Sequence, residues 1–278
     1  MIKITDRIFA ETNYTGCNIG WVLTDEGIVL IDTPALPGDI ADLKKKINAE
    51  DIAYTIFTHE HFDHVLGGGE FGKRIIAHVN VIPEIERLKT ALPQDMNSFF
   101  PDLYRQHKGY FNNVKLKLPQ ITYNDTLNLK LGSTEIQMFH VGGHSTASTF
   151  VYLPQDKVLF CGDNINIGMP YPTPISQFDE WIGLLEKTEK MDIDKIIPGH
   201  GDICSKKQAH DLRVYFEGLR VQVTALIKQR KTRDEVIRSV NLAKYLPVPM
   251  DESLKPQTGY HTGMMYEQVN RKTHQAFS

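Results

Sequence analysis

The stretch FTHEHFDHVLGGGEF, residues 57–71, packs three histidines, a glutamate and an aspartate into the six positions from His59 to His64. Side chains this polar are costly to bury without partners. They therefore favour folds that bring further polar groups to the same place. His59 and His61 are two apart, so extended backbone beyond Thr58 points both imidazoles to one side. Asp63 and His64 come where the chain turns toward a helix, and Asp63 alone also reads as an N-cap. Glu60 alternates away from the pair and is expected behind the site or on the surface. The pattern is not HExxH, which needs histidines four apart on one helix face. Imidazole combined with carboxylate suits zinc, manganese or iron.

Partners for this cluster stand at the ends of β-rich runs. His144 lies in FHVGGHSTAS, Asp163 in VLFCGDN and His200 in KIIPGHG, each just after an apolar run and a glycine. Glycine allows the sharp turns and close backbone approach that such positions need. Asp32 in VLIDTP repeats the strand-end pattern without the glycine. Loops at strand ends, held by a rigid scaffold, are where function concentrates. A catalytic zinc uses about three protein ligands and keeps one position open.

Strand and helix signals alternate along the first half. The N-terminus alternates like a strand, and Cys17–Thr24 and Gly27–Asp32 flank a hairpin signal at Asp25-Glu26. Ile40, Leu43 and Ile47 give Pro37–Ala49 a helical apolar face. Ile52–Thr58 and Arg74–Ala77 read as strands, Val65–Phe71 and Val79–Leu92 as helices. Residues 93–119 follow no clean period and carry Phe99, Phe100, Tyr104, Tyr110 and Phe111. They are expected to be irregular, either a lid or a packed insertion. Strands are expected at Thr126–Leu131, Thr134–Val141, Thr149–Leu153, Lys157–Cys161 and Lys195–Pro198, with a helix at Phe178–Met191. After Ser205 the chain reads as helical at Gln208–Lys228, Arg233–Leu242 and Tyr260–Ala276, with a loop at Val248–Gly259.

At 278 residues and 41% hydrophobic composition, the chain is long enough for one large core or two smaller ones. The net charge is −3, and the basic stretch Lys228–Arg233 runs straight into Asp234 and Glu235, so it reads as a junction between helices. Nothing there favours a nucleic-acid partner. No apolar run approaches the ~18 residues of a membrane span, and no signal-peptide pattern is visible; the expectation is a soluble, cytoplasmic protein. Cys17, Cys161 and Cys204 are odd in number and widely spaced, which argues against a disulfide framework. Cys161 is expected in the core.

In order and in rough spacing, His-x-His-x-Asp-His at 59–64, His144, Asp163 after Phe160-Cys161-Gly162, and His200 in Pro198-Gly199-His200-Gly201 resemble the metallo-β-lactamase-fold hydrolase superfamily, with Asp32 matching its first motif. The resemblance covers about residues 1–204, and five motifs in sequence make it specific. It implies an α/β fold, a four-layer αββα sandwich over residues 1–204; the residues themselves make 93–119 a lid-like insertion and 205–278 a helical C-terminal extension on the same domain. It further implies two divalent metal ions, zinc before manganese or iron. His59, His61 and His144 would hold one, Asp63, His64 and His200 the other, and Asp163 would bridge them. Asp32 would orient ligands without binding metal. Asp63 and Asp163 are the candidate catalytic carboxylates, serving a hydroxide shared by the two ions that attacks a carbonyl or phosphoryl centre. Phe99, Phe100, Tyr104 and His261 are the candidate pocket residues. His78, His107, His140, His210 and His274 lack such context and read as ordinary surface or core histidines.

Within the superfamily, the aspartate at 163 argues against a dedicated β-lactamase. Acyl-homoserine lactonases resemble the chain but carry tyrosine three residues after the bridging aspartate, where Asn166 stands. Glyoxalase II shares a helical C-terminal region but has Glu-Tyr after the last histidine, where Gly201-Asp202 stands. The expected function is hydrolysis of a small ester, thioester or lactone. Alternatives are β-lactamase-like amide hydrolysis, phosphodiester or RNA processing, a mononuclear iron dioxygenase, and a binding module without chemistry. The large inserted domain of long nucleic-acid-processing members has no room in the 36 residues between Asp163 and His200. The expected partner is a small-molecule substrate, with no membrane.

Overall fold

The computed structural model describes residues 1–245 and 255–275, with side chains described over 1–245 and 256–272. Seven strands form one sheet in chain order: β1 (Ile2–Lys3), β2 (Ile8–Glu11), β3 (Ile19–Thr24), β4 (Gly27–Ile31), β5 (Ile52–Ile56), β6 (Ile75–His78) and β7 (Ile121–Tyr123). The first four pair antiparallel, and β4 to β7 run parallel. Five strands form the second sheet: β8 (Thr126–Leu131), β9 (Thr134–His140), β10 (Thr149–Leu153), β11 (Val158–Phe160) and β12 (Lys195–Ile197), ordered β12-β11-β10-β9-β8. Only β11 and β12 run parallel in it.

The sheets face each other. Val22, Val29, Ile31 and Ile56 of the first meet Ile136, Met138, Val151 and Phe160 of the second in one fully buried layer. Burying each such side chain contributes roughly 1.5–3 kcal/mol. Helices cover both outer faces. On the first sheet, α1 (Pro37–Lys46) buries Ile40 and Leu43 against Trp21 and Leu30. The short α2 (Phe62–Val65) and α3 (Gly68–Phe71) follow β5, and α4 (Val81–Phe99) and α5 (Pro101–Phe111) cover Phe57 and Ile75. On the second sheet, α6 (Phe178–Lys190) and α7 (Lys206–Lys228) bury Trp181 and Phe216 against Phe150 and Leu159. The chain is thus a four-layer αββα sandwich. Beyond it, α8 (Arg233–Ser239) and α9 (Lys255–Gln275) place Val236 and Met265 in the same core as α6 and α7. Capping boxes start α7 at Ser205 with Gln208 and α8 at Thr232 with Glu235.

Three expectations need correction. Residues 93–119 are not an irregular insertion, because α4 runs on through Pro93 to Phe99 and α5 follows after a break at Phe100. Proline inside a helix costs about 3 kcal/mol. Here the buried stripe Leu88, Leu92, Met96 continues across it, and the preceding turn at Lys89 is exposed, where water can serve a freed carbonyl. The helix expected at Val65–Phe71 is two short helices, split at Gly67, and β7 had no counterpart in the sequence reading. The expected loop Val248–Gly259 gives way to α9 from Lys255; residues 248–254 of that loop, and Ala276 of the expected last helix, lie outside the described residues.

One buried carboxylate at the sheet edge gives a pH test. Glu11 is 2% exposed and sits against the Lys46 ammonium. Burial alone would raise its pKa, but the Lys46 ammonium at 2.5 Å and the Met1 amino group at 2.7 Å more than offset this and hold it at about 2. A depressed carboxyl stabilises the fold above its unfolded pKa and loses that contribution as pH falls through the folded value. Glu11→Gln should therefore cost on the order of 2 kcal/mol at pH 7. The gap to the parent protein should close between pH 4.5 and about 2 in denaturant titrations. A gap unchanged at the acid end would assign the loss to packing instead.

Candidate metal centre

All the candidate donors meet at one edge of the sandwich, beyond the C-terminal ends of β4, β5, β9, β11 and β12. The chain bends over residues 58–60 as it leaves β5, so His59 stands in the bend rather than in the expected extended run; His61 is extended, and Asp63 and His64 occupy α2. His144 follows Gly142 and Gly143, both at positive φ, after β9. Asp163 follows Gly162, whose φ of 50° is left-handed. His200 follows Gly199, where a Cβ would lie 1.9 Å from Asp163 Oδ1. No side chain fits there, so glycine is what lets the two loops close on each other.

The donors form two groups that share Asp163. In the first, His61 Nδ1 lies 3.0 Å from both His59 Nε2 and His144 Nε2, and His144 Nε2 is 3.7 Å from Asp163 Oδ2. In the second, His200 Nε2 lies 3.4 Å from Asp63 Oδ2 and 3.2 Å from Asp163 Oδ1. His64 Nε2 lies 3.3 Å from the same Asp163 oxygen and 3.8 Å from Asp63 Oδ2. Bonds of roughly 2.1 Å in tetrahedral array put ligand atoms about 3.4 Å apart, so both groups have the span of a cation site.

Contacts behind the rings set their tautomers. Asp32 Oδ2 accepts from His64 Nδ1 at 2.8 Å and from Thr58 Oγ1 at 2.7 Å, while Oδ1 accepts from the Thr58 amide at 2.7 Å. With its proton given to Asp32, Thr58 Oγ1 accepts from His59 Nδ1 at 3.1 Å. The Gly16 carbonyl accepts from His200 Nδ1 at 2.9 Å. His59, His64 and His200 thus all turn an Nε2 lone pair inward, the usual arrangement behind metal-bound histidines.

The inward atoms lack satisfaction within the protein. His64 Nε2 and Asp163 Oδ1 are buried without a hydrogen bond, and crowded ring nitrogens of neutral histidines repel. Burial, aided by the charge near His64, pushes His59 well below the usual imidazole range, and burial takes His144 down to about 3. His64 and His200 shift upward: burial opposes this, but the carboxylates of Asp32, Asp63 and Asp163 outweigh it at His64, as does Asp163 at His200. Burial likewise opposes the fall at Asp163, which His200 and His64 hold well below the carboxylate range. The centre is a field that attracts positive charge, and these residues fit divalent cations.

Several residues that position the centre escaped the sequence reading. Asn164 Oδ1 accepts the His144 amide and Asn166 Oδ1 the His200 amide, each at 3.0 Å, so the turn around Asp163 holds both neighbouring loops. Thr58, directly before His59, and Asn164, directly after Asp163, both lie within the motifs. Glu60 is buried, accepting from Ser145 Oγ at 2.7 Å, and does not face solvent. Cys161 packs in the core with its thiol pushed far up by burial.

A cavity of about 420 Å³ opens beside Asp63, Asp163 and His200, walled by Leu36, Phe62, Phe100, Leu103, Phe111 and Tyr171. Of the four candidate pocket residues, Phe100 lines it. Phe99 is 74% exposed and Tyr104 stacks behind on Phe111. His261 is buried behind the site: Tyr215 Oη hydrogen-bonds its Nδ1 at 2.6 Å, and the ring also donates to the Pro170 carbonyl. Through α9, His261 holds one end of the 170–176 segment and Gln268 Nε2 the other, at the Ser176 carbonyl. Between them Tyr171 stands edge-on to His200, and Ser176 Oγ donates to the His144 carbonyl at 2.6 Å. His78 and His140 stack on each other, His107 contacts Phe111 and His210 meets Glu189. The His274 side chain is outside the described residues. No helix among the described residues is long and apolar enough to cross a membrane.

A family model described as the metallo-beta-lactamase superfamily matches residues 13–200. Among curated proteins, the chain is 23% identical to the 2,4-dinitroanisole O-demethylase subunit alpha of Nocardioides sp. (strain JS1661), over 71% of this chain and 54% of that protein. It is 25% identical to the acyl-coenzyme A thioesterase MBLAC2 of Homo sapiens, over 64% of this chain and 68% of the other. The chain thus spans about half the length of the O-demethylase subunit. Among solved structures, a metallo-beta-lactamase family protein from Thermus thermophilus superposes with a TM-score of 0.68 at 15% identity, covering 98% of this chain and 95% of that one.

Proposed function

Since this chain belongs to the metallo-β-lactamase superfamily, we propose that it is a metal-dependent hydrolase of a small ester, thioester or lactone. One observation carries the reading: the donor group of Asp63, Asp163 and His200 opens directly into a mainly apolar cavity. Pockets of a few hundred Å³ with apolar walls and a few convergent polar groups are typical of small-molecule sites. The human thioesterase relative is in keeping with the thioester arm.

His59, His61 and His144 would hold one divalent cation, and Asp63, His64 and His200 a second, with Asp163 serving both. Zinc suits this set first, with manganese and iron as alternatives. When bound, such ions supply Lewis acidity and bring the pKa of water toward ~7. The chain's own residues do the rest. Asp32, Thr58 and the Gly16 carbonyl keep ring protons turned outward, so the inward nitrogens stay available. The wall from Phe62, Leu103 and Phe111 excludes water from the bound group and fixes its orientation. No thiol nucleophile is available, because burial raises Cys17 and Cys204 to about 12 and pushes Cys161 well above its ordinary range.

The test is a panel of thioesters, lactones, esters, β-lactams and phosphodiesters, run on protein whose bound metal has been quantified. Turnover of oxygen and thiol esters that disappears on chelation and returns with metal is expected. Turnover confined to phosphodiesters, or one iron per chain with oxygen consumption, would replace the reading. Gln268→Ala should raise KM more than it lowers kcat, because the helix then releases one end of the segment bearing Tyr171. An unchanged KM would mean that α9 does not position the wall.

A further inference from the structure

The donor row lies between two unlike spaces. The apolar cavity adjoins Asp63 and His200 at one end. At the His61 end is a groove of about 690 Å³ with a mixed lining, where Asn80, Glu84, Arg87 and Thr173 stand among Pro83, Pro174 and Ile175. Arg87 is the lining cation, and it is already engaged, 2.7 Å from Glu84 and 2.7 Å from Asp95. Among the described lining residues no free cation remains: Arg87 is held by Glu84 and Asp95, and Glu60 is buried on Ser145 Oγ. The N-terminus of α4 also points here, but it offers little to an anion. Pro83 has no N–H, the Ile82 amide is bonded to the Val79 carbonyl, and Glu84 occupies the first turn. Phosphate and sulfate groups need unpaired Arg or Lys, or free helix-start amides, to offset their desolvation.

We propose that the substrate is an amphiphile lying across the donor row, with an apolar acyl chain in the cavity and a polar, non-anionic leaving group in the groove. This rests on the hydrolase reading above. The direction follows from the chemistry. The acyl carbon gains the oxygen of water, its C–O or C–S bond breaks, and a proton from water ends on the departing oxygen or sulfur. An apolar wall gives no partner to a departing alkoxide or thiolate, whereas the groove offers polar side chains. A neutral alcohol or small neutral thiol fits it. The phosphorylated carrier of a coenzyme A thioester finds no free cation along it.

The experiment uses metal-replete protein and acetyl and decanoyl thioesters of N-acetylcysteamine and of coenzyme A. The decanoyl N-acetylcysteamine thioester should exceed its acetyl counterpart in kcat/KM by at least tenfold, and exceed decanoyl-coenzyme A by at least tenfold. Leu103→Trp, which fills the cavity, should shrink the chain-length ratio. Glu84→Lys, on the first turn of α4, should shrink the carrier ratio by reversing a charge in the groove. Equal or faster turnover of the coenzyme A thioester, or indifference to chain length, would overturn the proposal and leave the hydrolase reading standing. If metal-replete protein turns over no thioester or oxygen ester at all, both fall.

Discussion

Replacing Asp163 with asparagine is expected to lower kcat/KM by well over ~100-fold and to remove most bound metal, with the fold retained. Changing a partner behind a ligand typically costs about 10–100-fold, and Asp163 is placed to act on both donor groups directly. Oδ2 faces His144 at 3.7 Å, while Oδ1 faces His64 at 3.3 Å and His200 at 3.2 Å. Asparagine keeps the volume but supplies one acceptor where two are needed, and its NH₂ points protons at a group that should bind cations. The near-identical shape keeps Gly199 and the loops in place, so circular dichroism should match the parent protein. Metal content and kcat/KM both within tenfold of the parent would remove Asp163 from the centre.

Asp32→Asn should give the second-largest loss, about 10–100-fold in metal affinity or activity, without Asp32 touching the donor row's open side. Three donors converge on its two oxygens: the Thr58 amide, Thr58 Oγ1 and His64 Nδ1. Either placement of the new NH₂ sets donor against donor in a buried site, which costs about 1–3 kcal/mol. The backbone is not part of the cost. Asp32 has a φ of 58°, and asparagine tolerates that left-handed conformation where alanine would add strain. The readouts are metal dissociation constants and thermal midpoints of the metal-free protein. Affinity within twofold of the parent would show that Asp32 only closes the β4 loop.

Three of the donors were legible because each follows a β-rich apolar run and a glycine suited to a sharp turn. His144, Asp163 and His200 announce themselves this way one at a time, and the His59–His64 cluster supplies the reason to collect them. The residues that hold the donors were not legible. Asn164 and Asn166 look like ordinary turn residues until their carboxamides are seen accepting the His144 and His200 amides. Gly16 contributes only a carbonyl, which no side-chain pattern reveals. The expected helix ended at Leu92, and the packing of Leu92 and Met96 carries it on through Pro93.

The sequence by itself determined the chemistry available: which donors exist, their order, and that strand ends would present them. Local residue type and short-range periodicity carry that information. Tertiary structure decided which nitrogen of each ring faces inward, and which side of the donor row is apolar. Leu36, Phe62, Phe100 and Phe111 come from separate segments and form a wall only when α2, α4 and α5 pack on one sheet. Cavity shape and ring tautomer depend on contacts between residues distant in the chain, and no local pattern encodes such contacts.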